Sequence, residues 1–306
     1  MHVYEKGGIG AMRVDKNKPF VLGHESSATI VKVGSEVTHL KVGDRVALEP
    51  AVPCCNCQWC LKGMYNLCDY CNAKARGLPP NDGVLQRYTV HPANFCFKLP
   101  ENVSLEEGAL AEPISCSLYG VQRAGVKVGD NVLIIGGGPI GLFSLVCAKA
   151  YGAQKICIAG KHEEGLKIAK ELGADNTVFV HVDDPPEKLA AEIEKVAGKA
   201  DVTLECTGTQ KGIHAAILAS KFGAKVALVG IGPELITIPV NELLYRQVDL
   251  LGVNKFVNNM ELVLHLIETG KINVKPIITH KFLLEDWASA FDTVRGKKGS
   301  KILIEL

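Results

Sequence analysis

The sequence predicts an α/β protein in which a doubly wound parallel sheet follows an all-β segment. After residue 127, apolar strand-like runs alternate with longer amphipathic segments, the pattern of a parallel sheet covered by helices. Before residue 127, short strand-like segments alternate with turns and are interrupted by a cysteine-dense loop. The chain has 306 residues, a length that suits two domains better than a single small core.

Composition and charge exclude several classes of protein. Apolar residues make up 47% of the chain and charged residues 22%, as in globular rather than disordered proteins. The formal net charge of +1 offers no basic surface, so we expect neither a nucleic acid nor a membrane as a partner. The uncharged run over 132–148 is shorter than the about 20 residues that a membrane span needs. No signal peptide is evident, so we expect a cytoplasmic location, with the eleven cysteines as thiols or metal ligands.

The first part of the chain predicts short strands. Residues 1–19 are polar and glycine-bearing and predict a loop. Residues 28–33 predict a strand, residues 41–47 a turn leading into a strand, and residues 88–99 further short strands. Ser104 and Glu107 have the spacing of a capping box, which predicts a helix from about residue 105 that carries Glu112.

Four cysteines crowd one polar loop with the spacing C-x2-C-x2-C-x7-C. They are Cys54, Cys57, Cys60 and Cys68. Four thiolates on one short loop can close a tetrahedral shell around Zn²⁺, which is the pattern of a structural zinc site. The alternative is a chance cluster of reduced cysteines, but buried cysteines are usually spread along strands. The sequence therefore predicts structural zinc in this loop.

A glycine-rich turn organises the second part of the chain. The apolar run 132–135 predicts a buried strand, and Gly136, Gly138 and Gly141 follow it with the G-x-G-x-x-G spacing. These glycines would allow a tight turn, close approach of the backbone to a pyrophosphate, and close packing of helix on strand. An ordinary structural turn is the alternative. The strand before the glycines, the helix after them and a second strand over 155–159 favour a dinucleotide site.

The remaining elements continue the alternation. Helices are predicted over 163–172, 210–220 and 261–268, and strands over 201–205, 225–229, 277–283 and 301–306. No internal repeat or long linker interrupts them.

Together these motifs resemble the zinc-dependent medium-chain alcohol dehydrogenases, most closely their sorbitol (polyol) dehydrogenase and ketose reductase branch. The matching stretches include VLGHE at 21–25, VGDRV at 42–46, PPNDG at 79–83, EEGALAEP at 106–113, ECTG at 205–208 and THKF at 279–282. The resemblance implies a GroES-like β-barrel catalytic domain, N-terminally incomplete, over 1–115, with the structural-zinc lobe at 54–68. It also implies a Rossmann domain over 116–256 and a C-terminal return to the catalytic domain over 257–306.

The resemblance also implies site residues. His24, Glu25 and Glu112 would hold a catalytic zinc, with Glu112 contacting a zinc-bound water or the substrate hydroxyl. The metal would act as a Lewis acid while a hydride passes between a polyol and NAD(P), giving the ketose. The cofactor-binding residues implied are Gly136, Gly138, Pro139, Ile140, Gly141, Gly160, Lys161, Val229, Gly230, Val253, Asn254 and Lys255. Glu112, Lys255 and Phe256 would contact the substrate, although polyol enzymes typically have Arg-Tyr where this chain has Lys255-Phe256.

Two further departures from the family pattern change what we expect. Family members carry a cysteine zinc ligand a few residues before the position that matches His2. This sequence begins at Met1, so it has no residue at the position of that ligand. We therefore expect weak catalytic zinc and low activity. Second, Gly160-Lys161-His162 replaces the acidic residue that binds the ribose 2′-hydroxyl in NAD-preferring members. The missing carboxylate and the added cation favour NADP(H) over NAD(H).

Alternatives remain open at this point. The same scaffold serves xylitol, arabinitol and threonine dehydrogenases. A non-catalytic cofactor-binding or regulatory subunit is a hypothesis of another class. The resemblance implies a homo-oligomer, a tetramer or a dimer, with contact through a strand over 235–240.

Overall fold

The computed structural model describes residues 2–9, 12–15 and 17–306 and begins with elements that the sequence did not predict. His2–Lys6 forms a short helix, and Gly8–Ile9 pairs antiparallel with Met12–Arg13. The loop predicted over 1–19 is therefore wrong for these residues, while residues 1, 10, 11 and 16 lie outside the described part. A distant contact supplies the reason, because the Tyr4 ring packs edge-on against Phe291 at a centroid distance of 4.8 Å.

Three antiparallel strands form the sheet of the first part of the chain. Arg45–Leu48 lies between Ser27–Thr29 and Cys96–Lys98. The predictions of strands over 28–33 and 88–99 were too long. Pairing stops after Thr29, because Ile30 exchanges backbone hydrogen bonds with Gly43 and Asp44 in the turn. The sheet remains open and faces the cleft described below.

Two consecutive helices lead from this sheet to the second part of the chain. Leu105–Ala109 begins at the predicted capping box, in which Ser104 Oγ accepts from Glu107 N at 3.2 Å and Glu107 Oε2 accepts from Ser104 N at 3.0 Å. Ala111–Ala124 follows and is buried along most of its length. This longer helix runs through the predicted boundary at 115/116, so it belongs to both sides of the cleft.

Six parallel strands form the sheet to which the glycine-rich turn belongs. In spatial order they are Asp249–Gly252, Ser220–Leu228, Ala200–Glu205, Asn131–Ile135, Lys155–Gly160 and Asn176–Phe179. The order reverses at Asn131–Ile135, and ligands of such sheets bind in the crevice at this switch point. Both edge strands were missed by the sequence prediction, because each has only four residues.

Helices cover both faces of the parallel sheet. They are Pro139–Ala150, Glu163–Glu171, Pro186–Ala197, Gln210–Leu218, Val240–Arg246 and Met260–Glu268. Side chains of the strand Asn131–Ile135 point alternately to the two faces of the sheet. Val132 and Ile134 pack into one hydrophobic core, and Leu133 and Ile135 pack into the other. In the described part of the chain, no helix is long and apolar enough to cross a membrane.

The C-terminal segment turns back towards the first part of the chain. Ile278–Leu283 pairs in parallel with Lys301–Glu305, and the helix Trp287–Arg295 connects them. Lys281 Nζ lies 2.5 Å from Glu106 Oε1, and Lys301 forms an ion pair with Glu25. These contacts bring residues from the two ends of the chain to one site.

The strand expected over 235–240 is not formed. Residues 231–239 pair with no other strand, and Val240 already begins a helix. An extended segment counts as a strand only when a neighbour accepts its backbone hydrogen bonds, and the single chain offers none here. Leu235 is 88% exposed.

Candidate active site

The glycine-rich turn joins the strand Asn131–Ile135 to the helix Pro139–Ala150 at the switch point. Gly136 has a φ of +119°, and a Cβ on Gly141 would lie 1.8 Å from the Gly136 carbonyl oxygen. Both positions therefore need glycine for the turn itself. A Cβ on Gly138 would meet no protein atom within 4 Å, so this face is open to a ligand. The N–H groups of the first helical turn have no partner inside the helix, and the turn fits a pyrophosphate.

Other predicted cofactor residues lie at the ends of neighbouring strands. Gly160 packs against the turn, since a Cβ there would lie 3.0 Å from Gly137 N. Lys161 follows it and is exposed. A cleft of about 2460 Å³ includes the other predicted positions in its lining, namely Pro139, Ile140, Val229, Gly230, Val253, Asn254 and Lys255. Seven of the predicted cofactor positions therefore line one cleft.

The three predicted ligands of the catalytic metal lie together in this cleft. One ligand atom each of His24, Glu25 and Glu112 lies within 4.8 Å of the others. His24 and Glu25 precede the strand Ser27–Thr29, and Glu112 lies in the first turn of the helix Ala111–Ala124. One imidazole and two carboxylates leave a fourth position for water or substrate, which is the donor pattern of a catalytic zinc site.

Burial controls the charge of this cluster. Desolvation by burial, helped by the cations Lys301 and Lys255, lowers the pKa of His24 to about 4. The imidazole is therefore neutral at pH 7 and has a lone pair to donate to a metal. Burial, together with the neighbouring Glu49 and against the opposing effect of Lys255, raises the pKa of Glu112 to about 7. Glu112 can thus hold or release a proton near neutral pH.

Lys301 is a site residue that sequence reasoning missed. Its ammonium forms an ion pair with Glu25, and the two side chains are 16% and 29% exposed. Burial lowers the pKa of Lys301 to about 8. Glu25 therefore has a second cation available besides a metal. The one signal in the sequence is a lysine at the start of an otherwise apolar strand, and that pattern does not name its partner.

The four predicted cysteines of the lobe form a second candidate metal centre. Their Sγ atoms are 3.5 Å apart for Cys57 and Cys60, 3.6 Å for Cys54 and Cys68, and 3.9 Å for Cys54 and Cys60. A tetrahedron with Zn–S bonds of about 2.3 Å has edges of about 3.8 Å. The short helices Gln58–Leu61 and Asp69–Ala73 set this geometry. The donor set fits a closed, four-coordinate zinc site.

The two predicted substrate residues next to the cofactor segment differ in their surroundings. Phe256 is 3% exposed and packs into the main core while bordering the cleft. Lys255 donates from Nζ to Asn72 Oδ1 at 2.9 Å, so its ammonium is held by the cysteine lobe. Sequence reasoning missed Asn72, because no spacing connects it to Lys255.

Glu49 is a further buried group that the sequence did not indicate. Its side chain is 1% exposed, and neither carboxylate oxygen has a hydrogen-bond partner by distance and angle. Burial raises the pKa of Glu49 to about 7, which the neighbouring Tyr65 hydroxyl partly opposes. The carboxyl also raises the pKa of Glu112, so the two acids titrate as neighbours.

Comparison with known proteins assigns this architecture to a family. The model of the alcohol dehydrogenase GroES-like domain matches residues 1–101, and that of the zinc-binding dehydrogenases matches residues 139–269. Sorbitol dehydrogenase of Gallus gallus is 41% identical over 309 residues, covering 100% of this chain and 85% of that protein. The chain belongs to the zinc-dependent medium-chain alcohol dehydrogenases, in their sorbitol dehydrogenase branch. The family resemblance and the fold, a GroES-like part followed by a Rossmann sheet, are thereby confirmed.

Solved structures similar to this chain have the same fold with either cofactor. A zinc-binding dehydrogenase of Sinorhizobium meliloti, solved with NADP, has a TM-score of 0.88 and 28% identity, covering 100% of this chain and 87% of its own. An Escherichia coli alcohol dehydrogenase solved with NADH has a TM-score of 0.88 and 25% identity, with the same coverage of both chains. The fold is therefore compatible with NADP and with NAD, and the choice between them depends on local side chains.

Proposed function

We propose that this protein interconverts a polyol and its ketose by moving a hydride between the substrate carbon and the nicotinamide of NAD(P). The observation that carries the proposal is the His24, Glu25 and Glu112 cluster, which shares one cleft with the glycine-rich turn. The identity of 41% to a sorbitol dehydrogenase supports a sorbitol-like substrate.

The side chains of the cluster fit a catalytic zinc. His24 supplies a neutral nitrogen, and Glu25 and Glu112 supply oxygens, with ligand atoms within 4.8 Å of one another. Bound there, zinc would act as a Lewis acid on the alcohol or carbonyl oxygen. The four cysteines would hold a second, structural zinc.

The protein's own groups orient the substrate and handle its proton. We assign Glu112 to hold the reacting hydroxyl and to take its proton during oxidation, returning it during reduction. Lys255 donates hydrogen bonds to a further oxygen of the substrate. Phe256 lacks the hydroxyl of a tyrosine and offers an apolar wall, which excludes water beside the nicotinamide.

Initial rates with a substrate panel test the proposed function. Sorbitol, xylitol, arabinitol and threonine would each be offered with NAD⁺ and NADP⁺, and formation of the reduced nicotinamide recorded. We expect low but measurable turnover of sorbitol, and a loss of about 100-fold or more in kcat/KM for Glu112→Gln. The exposed Glu101→Gln serves as control. A chain that oxidises none of the polyols at full zinc content would contradict the proposal.

We propose a preference for NADP(H) on the charge at the end of the strand Lys155–Gly160. Gly160 offers no carboxylate to repel a 2′-phosphate, and the exposed Lys161 adds a cation beside it. Dissociation constants of both cofactors would be compared in the wild type and in Gly160→Asp. Tighter binding of NADP(H) that reverses in the variant is expected, and tighter NAD(H) binding by the wild type would refute the preference.

We propose a homodimer, or a tetramer built from such dimers, formed through the unpaired segment 231–239 and the helix after it. Leu235, Leu244 and Tyr245 are 88%, 70% and 77% exposed, and such large apolar side chains are candidates for burial in an interface. Sedimentation of the wild type and of Leu244→Glu tests this, with the equally exposed Val182→Glu as control. A monomeric wild type would contradict it.

We also propose a division into three parts, over 1–115, 116–256 and 257–306. A cytoplasmic location is a separate proposal. Helix Ala111–Ala124 supports a shared boundary rather than a linker. None of the eleven cysteines is in a disulfide, which suits a reducing compartment. Limited proteolysis and cell fractionation test these two statements.

A further inference from the structure

The cysteine lobe is joined to the cofactor side of the cleft by reciprocal hydrogen bonds. Asn66 Nδ2 donates to the Asn254 carbonyl oxygen at 2.7 Å, and Asn254 Nδ2 donates to the Asn66 carbonyl oxygen at 2.8 Å. Asn66 is 2% exposed and lies two residues before the metal-site cysteine Cys68. This buried polar contact joins the lobe to a segment 188 positions away, so the lobe supports the cofactor side of the cleft as well as its own fold.

Two further contacts extend this junction on either side. Asn258 N donates to the Tyr65 hydroxyl at 2.9 Å, and Lys255 Nζ donates to Asn72 Oδ1 at 2.9 Å. The Asn72 amide is itself oriented, because its Nδ2 donates to the Asn66 carbonyl oxygen at 3.3 Å. Segment 254–258 is therefore held at three points by residues of the lobe.

The backbone of the segment needs such support. Lys255 and Asn258 have φ values of +51° and +52°, in the left-handed region that residues other than glycine rarely occupy. Conformations of this kind persist only where the surrounding contacts fix them. The lobe supplies those contacts, and its own shape depends on the four cysteines that fit a metal.

Lys255 is the side chain that gains most from being held. Lys255 lines the same cleft as His24 and Glu112, so it lies on the side of the catalytic cluster. It has three N–H donors, of which one goes to Asn72 and two remain for a ligand. Without Asn72 the flexible four-carbon stem would sample many positions in the cleft.

We propose that the cysteine lobe positions Lys255 for substrate binding, with Asn72 as the positioning residue. A metal bound by the lobe would thereby influence the affinity of a cleft whose lining does not include the four cysteines. This inference rests on the proposed function for its kinetic part. The orientation of Lys255 can be measured without turnover.

The test compares Asn72→Ala with Asn72→Asp, which keeps the acceptor oxygen. The control is Asn102→Ala: Asn102 Nδ2 donates to the Glu268 carbonyl oxygen at 2.8 Å, a long-range contact of the same kind away from the cleft. The rate at which acetic anhydride labels Lys255 would be followed by mass spectrometry, and KM and kcat measured with sorbitol. Cys57→Ser, which removes one lobe ligand, is the fourth variant.

For Asn72→Ala we expect the rate of Lys255 labelling to change severalfold. The KM for sorbitol should rise about tenfold, because the loss of one hydrogen bond to a charged group weakens binding by about that factor. The kcat should stay within about twofold of the wild-type value. Asn72→Asp and Asn102→Ala should resemble the wild type, and Cys57→Ser should resemble Asn72→Ala. Unchanged labelling, or changed labelling with unchanged KM, would overturn the inference. Asn72→Ala retains all four cysteines, so it decides the matter even if Cys57→Ser misfolds. A wild type without polyol turnover would refute the proposed function, while the labelling ratio would still decide whether Asn72 positions Lys255.

Discussion

Burial shifts the pKa values of several ionisable side chains around the cleft towards their neutral forms. Burial raises the pKa of Glu49 and Glu112 to about 7 and lowers that of His24 and His91 to about 4. The interior therefore carries less charge at neutral pH than its composition suggests. A divalent metal would be the strongest local charge and would stabilise the ionised form of Glu112.

At the residue scale, the buried Glu49 predicts how the free energy of unfolding depends on pH. Its folded pKa of about 7 lies above the ordinary value of 4.5, so the folded state binds its proton more tightly than the unfolded chain. Its contribution to stability is fully present below pH 4.5 and is lost as the pH rises through 7. Glu49→Gln keeps the shape without the charge, and its stability relative to the wild type should increase over this interval by up to about 3 kcal/mol.

Urea unfolding at pH 5 and pH 8 measures this difference. Glu101→Gln, an exposed glutamate of the same part of the chain, is the control and should follow the wild type at both values. Parallel stability curves for wild type and Glu49→Gln would contradict the burial of an unpartnered carboxyl at this position.

At the scale of the element, the helix Leu105–Ala109, which precedes Glu112, depends on its capping box. Ser104 and Glu107 satisfy each other's backbone N–H groups, and the Leu105 carbonyl oxygen accepts from Ser27 Oγ at 2.5 Å. Ser104→Ala should lower the free energy of unfolding by about 1 kcal/mol, because one N-terminal N–H loses its acceptor. Thermal or urea unfolding would detect the loss. For the exposed Ser35→Ala we expect a change within about 0.5 kcal/mol, and equal effects of both variants would disprove the role of the cap.

Elements whose signals are local could be predicted from the sequence. The capping box, the glycine-rich turn and the alternating strands after residue 127 depend on neighbours within a few positions, and the structure forms them where expected, within a few residues. The edge strands were missed because each has only four residues, and the N-terminal elements because the distant contact between Tyr4 and Phe291 supports them. The strand expected over 235–240 is absent, because residues 231–239 have no neighbouring strand in the described part of the chain with which to pair.

The predictability of the site follows the same division. Spacing alone indicated the cysteine lobe, and the family resemblance brought His24, Glu25 and Glu112, which the structure gathers within 4.8 Å. Lys301 is 276 positions from Glu25, and Asn72 is 183 positions from Lys255. No periodicity or motif links residues so far apart, so neither partner could be found before the fold was known.

At the scale of the whole molecule, the cleft is assembled from every part of the chain. The first part supplies His24 and Glu25, the connecting helix Glu112, the parallel sheet the cofactor turn, and the C-terminal strand Lys301. The switch point of the sheet places the glycine-rich turn in the same crevice as the candidate metal ligands. Hydride transfer requires this juxtaposition, since the reacting carbon and the nicotinamide must meet in a site that excludes water.

Tracing the hydride is the most direct test of that central claim. Sorbitol deuterated at the reacting carbon would be incubated with the zinc-loaded protein and oxidised cofactor, and the nicotinamide examined by NMR. Deuterium should appear on the nicotinamide of the wild-type reaction and be absent with His24→Ala at equal cofactor occupancy. If the wild type leaves the nicotinamide unlabelled although sorbitol and cofactor are both bound, the cleft does not perform polyol oxidation.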